Sequence, residues 1–93
     1  MTWAKIDDNI FFNPKVFVIS PEAKLLYIGG IVYASKFMTD GRIATADLPK
    51  LSRMTGMLPD SNLVSELVST ELWHETPDGY EINDYLEYNP SRE

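Results

Sequence analysis

Few side chains in this sequence could carry out acid–base or covalent chemistry. There is one histidine, His74, and there is no cysteine. Asp7-Asp8, and Asp40 beside Gly41, have the spacing of turn residues and not of two carboxylates that converge on a substrate. No nucleophile, Gly-rich phosphate loop or His-rich metal motif accompanies His74. The sequence therefore predicts a protein that is not an enzyme, with no catalytic residues, no metal ligands and no cofactor.

A second group of side chains could contact nucleic acid. The basic residues of the middle of the chain are Lys36, Arg42, Lys50 and Arg53. Neutralised phosphates supply most nonspecific DNA affinity, so these four are candidate phosphate contacts. Further along, Asn62 could pair with adenine, and Ser65 could donate to a base or a phosphate. All six are candidate DNA-binding residues, although charged residues are scattered over the surface of any soluble domain.

The distribution of charge weighs against strong DNA binding. The formal net charge is −6, but residues 1–35 are balanced, residues 36–59 carry +2 and residues 60–93 carry −8. Glu66 and Glu71 are expected to face phosphate, and Glu75, Asp78 and Glu81 to repel DNA over the Debye length of about 8 Å. The alternative function is an acidic oligomerisation or partner-binding domain that does not bind DNA.

Exposed aromatic side chains would mark a protein interface. The eleven aromatic residues exceed what a small core encloses comfortably, and Phe11, Phe12, Tyr85 and Tyr88 lie in segments of weak periodicity. These four are candidate contacts with a homo-oligomer or another protein partner. Alternatively, the segment 85–88 folds back over the N-terminal strand and closes the core.

The longest predicted helix begins at Ser20-Pro21-Glu22, where a hydroxyl cap, a proline and an acid occupy their favoured positions, and it extends to about Phe37. Gly29-Gly30 lies in its middle, where each glycine costs about 1 kcal/mol relative to alanine. Two explanations are open: close approach of a neighbouring helix in the core, or close approach of a second subunit.

The other elements are predicted from short apolar patterns and turn residues. They are a strand over 3–6, a short helix after Asn13-Pro14, a short strand near Ile43, a helix from Thr45 to about Arg53, a helix capped by Asp60 or Ser61 and reaching Leu72, and a hairpin around Pro77-Asp78-Gly79. This order predicts an α+β winged helix–turn–helix. It would have three to four helices and a small antiparallel sheet made of the N-terminal strand, the short strand and the C-terminal hairpin.

Length and composition set the remaining limits. Ninety-three residues are enough for a single domain, 1–93. Such a domain could be the N-terminal module of a longer protein. The longest uncharged apolar run, 25–34, is about half of the roughly 20 residues that cross a bilayer, so no membrane association is expected. The absence of cysteine and of a leader-like N-terminus favours the cytoplasm.

Short segments along the whole chain also carry a family resemblance. The segments "WAKIDD", "NPKVFVIS", "LYIGGIVYA", "TDGRI", "LVSTELW" and "GYEINDYLEYN" resemble the N-terminal domains of actinobacterial phage and prophage proteins of the replication-initiation type, broadly similar to replisome-organiser and DnaD-type winged helices. The resemblance implies a winged helix in a phage replication or regulatory protein, acting in the bacterial host cell. It implies no proven DNA contact, because function lies in sites and not in folds.

Overall fold

The computed structural model describes residues 3–56 and 61–88 of the chain. Its central element is α2, Pro21–Phe37. The Ala23 N–H donates to the Ser20 hydroxyl oxygen at 3.1 Å, and Pro21 occupies the first helical position. The helix ends where Met38 adopts a left-handed conformation. The predicted start and end of this helix are both confirmed.

The remaining elements are short and surround α2. In chain order they are a 3₁₀ turn Ile10–Phe12, α1 Pro14–Phe17, β1 Arg42–Ala44, a 3₁₀ turn Thr45–Asp47, α3 Leu48–Thr55, α4 Ser61–Ser69, β2 Trp73–Thr76, β3 Gly79–Ile82 and α5 Tyr85–Tyr88. The three main helices and the strands follow one another in the order α2, β1, α3, α4, β2, β3. Together they form the α+β, winged-helix-like fold that the sequence predicts.

The sheet has three antiparallel strands in the order β1-β3-β2. Trp73 lies opposite Ile82 on the face that packs on the helices, and both side chains are buried. On the other face Arg42, Glu81 and His74 form a cross-strand row, and all three are exposed. Alternation of side chains thus gives the sheet a largely buried apolar face and an exposed charged face; Glu75 is the exception, since it is exposed on the same face as Trp73.

The glycine pair of α2 is explained within the chain. A Cβ on Gly29 would lie 2.6 Å from the Thr55 side chain of α3, and a Cβ on Gly30 would lie 3.1 Å from Ile43 and 3.2 Å from Trp73. The two glycines therefore allow α3 and the sheet to approach α2 closely. The first of the two explanations, close packing inside the core, accounts for both positions.

Three details of the predicted fold are wrong. The helix predicted from Thr45 is α-helical only from Leu48, and Thr45–Asp47 forms a 3₁₀ turn before it. The segment 3–6 is not a strand: Trp3 is 79% exposed, and the sheet of the described residues consists of β1, β2 and β3. Alternation over four residues indicates a strand only where a neighbouring strand can share its hydrogen bonds. Helix α4 ends at Ser69 and not at Leu72, because Glu71 adopts a positive φ of 64° and turns the chain into β2. The predicted cap Asp60 lies outside the described residues.

No helix in the described part of the chain is long and apolar enough to cross a membrane.

Candidate nucleic-acid interface

Helix α4 follows α3 in the chain, where the sequence predicts the second helix of a helix–turn–helix. Val64 and Leu67 are buried in the core, so the opposite side of α4 faces outward. Asn62, Ser65 and Ser69 are exposed on that side. These three residues, called here the α4 outer face, are polar and uncharged. The predicted exposure of Asn62 and Ser65 is confirmed.

Glu66 does not belong to the α4 outer face, contrary to the sequence-based expectation. Its carboxylate accepts hydrogen bonds from the Ser20 N–H at 3.0 Å and from the Ser20 hydroxyl at 2.8 Å. The Ser20 hydroxyl oxygen in turn accepts from the Ala23 N–H. Since a carboxylate is favourable beside the positive end of a helix dipole, Glu66 extends the cap of α2. Its charge is directed toward α2 and not toward a DNA phosphate.

The β2–β3 hairpin is a short wing with a two-residue turn. Thr76 and Gly79 are register partners, and the Gly79 N–H donates to the Thr76 hydroxyl at 3.0 Å. The Thr45 N–H donates to the Asp78 carbonyl at 3.0 Å, which holds the turn against the start of the 3₁₀ segment. A Cβ on Gly79 would lie 2.2 Å from the Ile43 carbonyl oxygen. The wing is therefore fixed on β1 and does not project from the domain.

Acidic side chains remain exposed on this wing. Glu75, Asp78 and Glu81 are all exposed, as the sequence predicts. Glu81 lies opposite both Arg42 of β1 and His74 of β2 in the sheet register. The wing is consequently the anionic part of this surface, whereas the α4 outer face is neutral.

Lys50 is engaged by its neighbours. Its ammonium nitrogen lies 3.5 Å from an Asp47 carboxylate oxygen and 5.1 Å from the centre of the Phe37 ring. The same carboxylate accepts a hydrogen bond from the Tyr33 hydroxyl. A phosphate would have to compete with an ion pair and a cation–π contact for Lys50.

The Tyr33–Asp47 hydrogen bond also changes the acidity of both groups. Burial, followed by the hydrogen bond to Asp47 and its negative charge, raises the pKa of Tyr33 from 10.0 to about 12. The hydrogen bond from Tyr33 and the charge of Lys50 lower the pKa of Asp47, against an opposing effect of burial. This pair stabilises the junction between α2 and α3, and sequence patterns gave no signal for it.

The other basic candidates are exposed but are spread over three elements. Lys36 lies in the last turn of α2, Arg53 in the last turn of α3 and Arg42 on the outer face of the sheet. Arg42 lies opposite Glu81 in the sheet register. Of the four basic candidates, Lys50 alone has an ion pair in the described part of the chain, so a phosphate could reach Lys36, Arg42 and Arg53 without displacing one.

The aromatic candidates divide into two groups. Phe12 is 78% exposed and Phe11 is also exposed, so both stay available for a partner. Tyr85 is only 7% exposed and packs on Gly41, and its predicted place in an interface is therefore wrong. The alternative, that this segment closes the core, accounts for Tyr85. The side chain of Tyr88 lies outside the described residues.

A cavity of about 460 Å³ opens beneath the N-terminal segment. Its apolar wall includes Val16, Ile31 and Ile82, and its polar rim includes the oppositely charged Lys5 and Asp7. Sequence patterns did not indicate this cavity, because its lining comes from segments far apart in the chain. Its balanced charges select no ligand class.

The single histidine lies outside that cavity, on the exposed face of the sheet. His74 Nε2 is 3.0 Å from the Asn83 side-chain oxygen. Within 3–56 and 61–88 no cluster of three or more histidine, aspartate or glutamate side chains could hold a metal ion.

Comparison with known proteins gives no relative for this chain. No protein-family model matches it, and no curated protein or solved structure matches it either.

Proposed function

We propose that this protein is a non-enzymatic winged-helix module of a phage or prophage replication-initiation or regulatory protein. It would act in the cytoplasm of the bacterial host and associate weakly with nucleic acid through α4. The observation that carries the proposal is the α4 outer face. Asn62, Ser65 and Ser69 are exposed on α4, and the Glu66 carboxylate between them is directed toward Ser20.

The position of α4 supports the proposal. In helix–turn–helix proteins the second helix enters the major groove and presents the side chains of its N-terminal part to base edges. Asn62 lies in the first turn of α4, and Ser65 lies one turn further on the same side. An asparagine amide can make two hydrogen bonds to adenine, and a serine hydroxyl can bond to several bases or to a phosphate. A neutral helix face has no charge repulsion to overcome.

The distribution of charge makes the contact weak. Lys36 and Arg53 are exposed, Lys50 is shared with Asp47, and the wing presents Glu75. Two or three neutralised phosphates would give a salt dependence with a logarithmic slope of about −2 to −3. The module would therefore require neighbouring segments or further copies to stay on DNA at cellular salt.

Fluorescence anisotropy with a generic duplex of about 20 base pairs, at about 20–50 mM salt, tests this proposal. We expect weak binding that Arg53→Gln reduces. Lys24→Gln, which removes a lysine charge from α2, is the control and should leave the binding unchanged. Asn62→Ala should reduce the preference among duplex sequences. Absence of binding at high micromolar protein and low salt would contradict the proposal.

A second candidate function is partner binding without DNA contact. The observation that favours it is the number of large apolar side chains at the surface, among them Phe12, Phe17 and Val18. Exposed apolar surface of this kind commonly marks protein contacts. Sizing of the protein in solution, with and without duplex, distinguishes the two candidates.

A further inference from the structure

Helix α2 has an apolar side that the rest of the chain leaves uncovered. With 3.6 residues per turn, Glu22, Leu25, Ile28, Val32 and Lys36 fall on one side of the helix. Leu25 is 42% and Val32 41% exposed, Ile28 is half-buried, and the two charged residues at the ends are exposed. These five residues are called here the α2 stripe.

The opposite side of α2 is fully occupied by the chain itself. Ala23, Leu26 and Ala34 have no exposed surface, and Gly30 packs on Ile43 and Trp73 of the sheet. Gly29 lies at the edge of the α2 stripe, where Thr55 of α3 borders it. A helix that is apolar nearly all round is normally buried all round. Since the core covers only one side of α2, the three apolar residues of the α2 stripe lack the cover that their composition would lead one to expect.

The charges of the α2 stripe are arranged for self-association. Glu22 stands in the first turn of α2 and Lys36 in the last, with the apolar residues between them. Two such stripes can meet in only one direction without placing like charges together. When the helices are antiparallel, Glu22 meets Lys36 of the partner subunit at both ends of the contact. The same surface then serves both copies, as a two-fold interface requires.

We propose that the α2 stripe is the contact of a symmetric, antiparallel dimer of this chain. The register follows from the spacing of its residues. When Leu25 lies opposite the partner's Val32, the centre of symmetry falls between positions 28 and 29. Ile28 then packs near the axis, and each Glu22 lies beside the last turn of the facing helix. The contact extends over about 20 Å of helix, at 1.5 Å per residue.

The α2 stripe and the α4 outer face share no residue. This inference deepens the partner-binding candidate and does not depend on DNA binding. Failure of the dimer would show in sizing alone, and failure of DNA association would show in anisotropy alone.

Sedimentation equilibrium of the whole chain between about 5 µM and 0.5 mM tests the dimer. The contact is small, so we expect a dissociation constant on the order of 100 µM. Glu22→Lys alone and Lys36→Glu alone should each raise this constant about tenfold or more, because each places like charges at both ends of the contact. The double variant E22K/K36E should restore association to near the wild-type value.

Mixing the two single variants gives the sharpest result. One variant then presents only lysines and the other only glutamates at the ends of the stripe, so the two should form a mixed dimer while neither pairs with itself. A folding defect cannot produce this pattern, and circular dichroism melting of each variant checks that both are folded. Leu86→Glu, which changes an exposed leucine on α5, is the matched control and should leave association unchanged.

A wild-type chain that remains monomeric at about 0.5 mM would overturn the proposal. Association that survives either single charge reversal unchanged would overturn it as well, because the dimer would then use another surface. Loss of association in Leu86→Glu would have the same meaning.

Discussion

Helix α4 and the β2–β3 wing follow one another in the chain, and both contain acidic residues, but their acids face different surroundings. Glu66 of α4 is directed inward and accepts two hydrogen bonds from Ser20. Glu75 and Glu81 of the wing are directed into solvent. The net charge of a segment therefore does not give the charge of the surface that it presents. A helix in the most acidic third of the chain presents an uncharged outer face.

The two regions also differ in how they are anchored. The wing is held by backbone contacts: Gly79 lies against the Ile43 carbonyl, and the Asp78 carbonyl accepts from the Thr45 N–H. Helix α4 is held by buried side chains such as Leu67 and by the Glu66 carboxylate. Backbone packing tolerates no added atom, whereas side-chain contacts can be removed one by one.

The largest expected effect is that of Gly79→Ala in the wing. The added Cβ would fall within 3.0 Å of three backbone atoms of β1 and the residue after it, so the strands must separate. We expect a loss of about 3 kcal/mol in the free energy of unfolding, measured by urea denaturation. Gly56→Ala is the control: its φ is 74° but no atom lies within 4 Å of the added Cβ, and it should cost only about 1 kcal/mol. Equal losses would contradict the wing's close contact with β1.

Glu66→Ala should have the next largest effect. It removes both hydrogen bonds that the carboxylate accepts from Ser20, and it leaves the start of α2 without this part of its cap. We expect a loss of about 2 kcal/mol in urea denaturation and faster amide exchange at Ala23. Glu75→Ala, the matched acid of the wing, should change stability by less than about 0.5 kcal/mol. Similar effects of the two substitutions would remove the distinction between the inward and the outward acid.

Tyr33→Phe should cost about 1 kcal/mol at neutral pH through loss of the hydrogen bond to Asp47. The pKa of Tyr33 is raised from 10.0 to about 12, so the folded state holds its proton more tightly than the unfolded state. The corresponding stability is complete below pH 10 and is lost as the pH rises toward 12.

Tyr33→Phe tests whether this stability is lost at high pH. Melting temperatures measured from pH 9 to 12 should fall more steeply for the wild type than for Tyr33→Phe. The pKa of Asp47 is lowered in the folded state. The stability that this carboxylate contributes is therefore present at a pH above its ordinary pKa, and it is lost as the pH falls through the lowered pKa. Parallel curves for the two proteins in alkali would show that Tyr33 does not contribute.

Glu75→Lys should have the smallest effect on stability, below about 0.5 kcal/mol, because the side chain is exposed on the wing. Its effect on DNA association should be larger. If the wing lies near the backbone of bound DNA, the logarithmic salt slope should steepen by up to about one unit. Asn62→Asp, which places a carboxylate on the α4 outer face, should weaken association instead. Unchanged anisotropy for both variants would show that neither α4 nor the wing contacts the DNA.

Local signals in the sequence were sufficient for most of the fold. The cap at Ser20 and the proline after it located the start of α2, and the Pro77-Asp78-Gly79 turn located the hairpin. Both depend on neighbouring residues only, and such contacts are readable from spacing. The predicted strand over 3–6 failed because a strand depends on a partner elsewhere in the chain, which four alternating residues cannot reveal.

The site was less predictable for the same reason. Exposure of Asn62 and Ser65 followed from helical periodicity, and exposure of Phe11 and Phe12 followed from their lack of periodicity. The direction of Glu66 depends on Ser20, which is 46 residues away, and the burial of Tyr85 depends on Gly41. Periodicity predicts which side of a helix faces outward. It does not predict which charged side chain on that side bonds to a residue elsewhere in the chain.

The link between Ser20 and Glu66 has a mechanical consequence. It joins the base of the helix that carries the proposed self-association contact to the helix that carries the proposed nucleic-acid contact. A displacement of α4 would therefore also move the backbone at Ser20, two residues before Glu22. Binding at the α4 outer face and pairing at the α2 stripe would therefore be coupled in part through the Glu66 carboxylate.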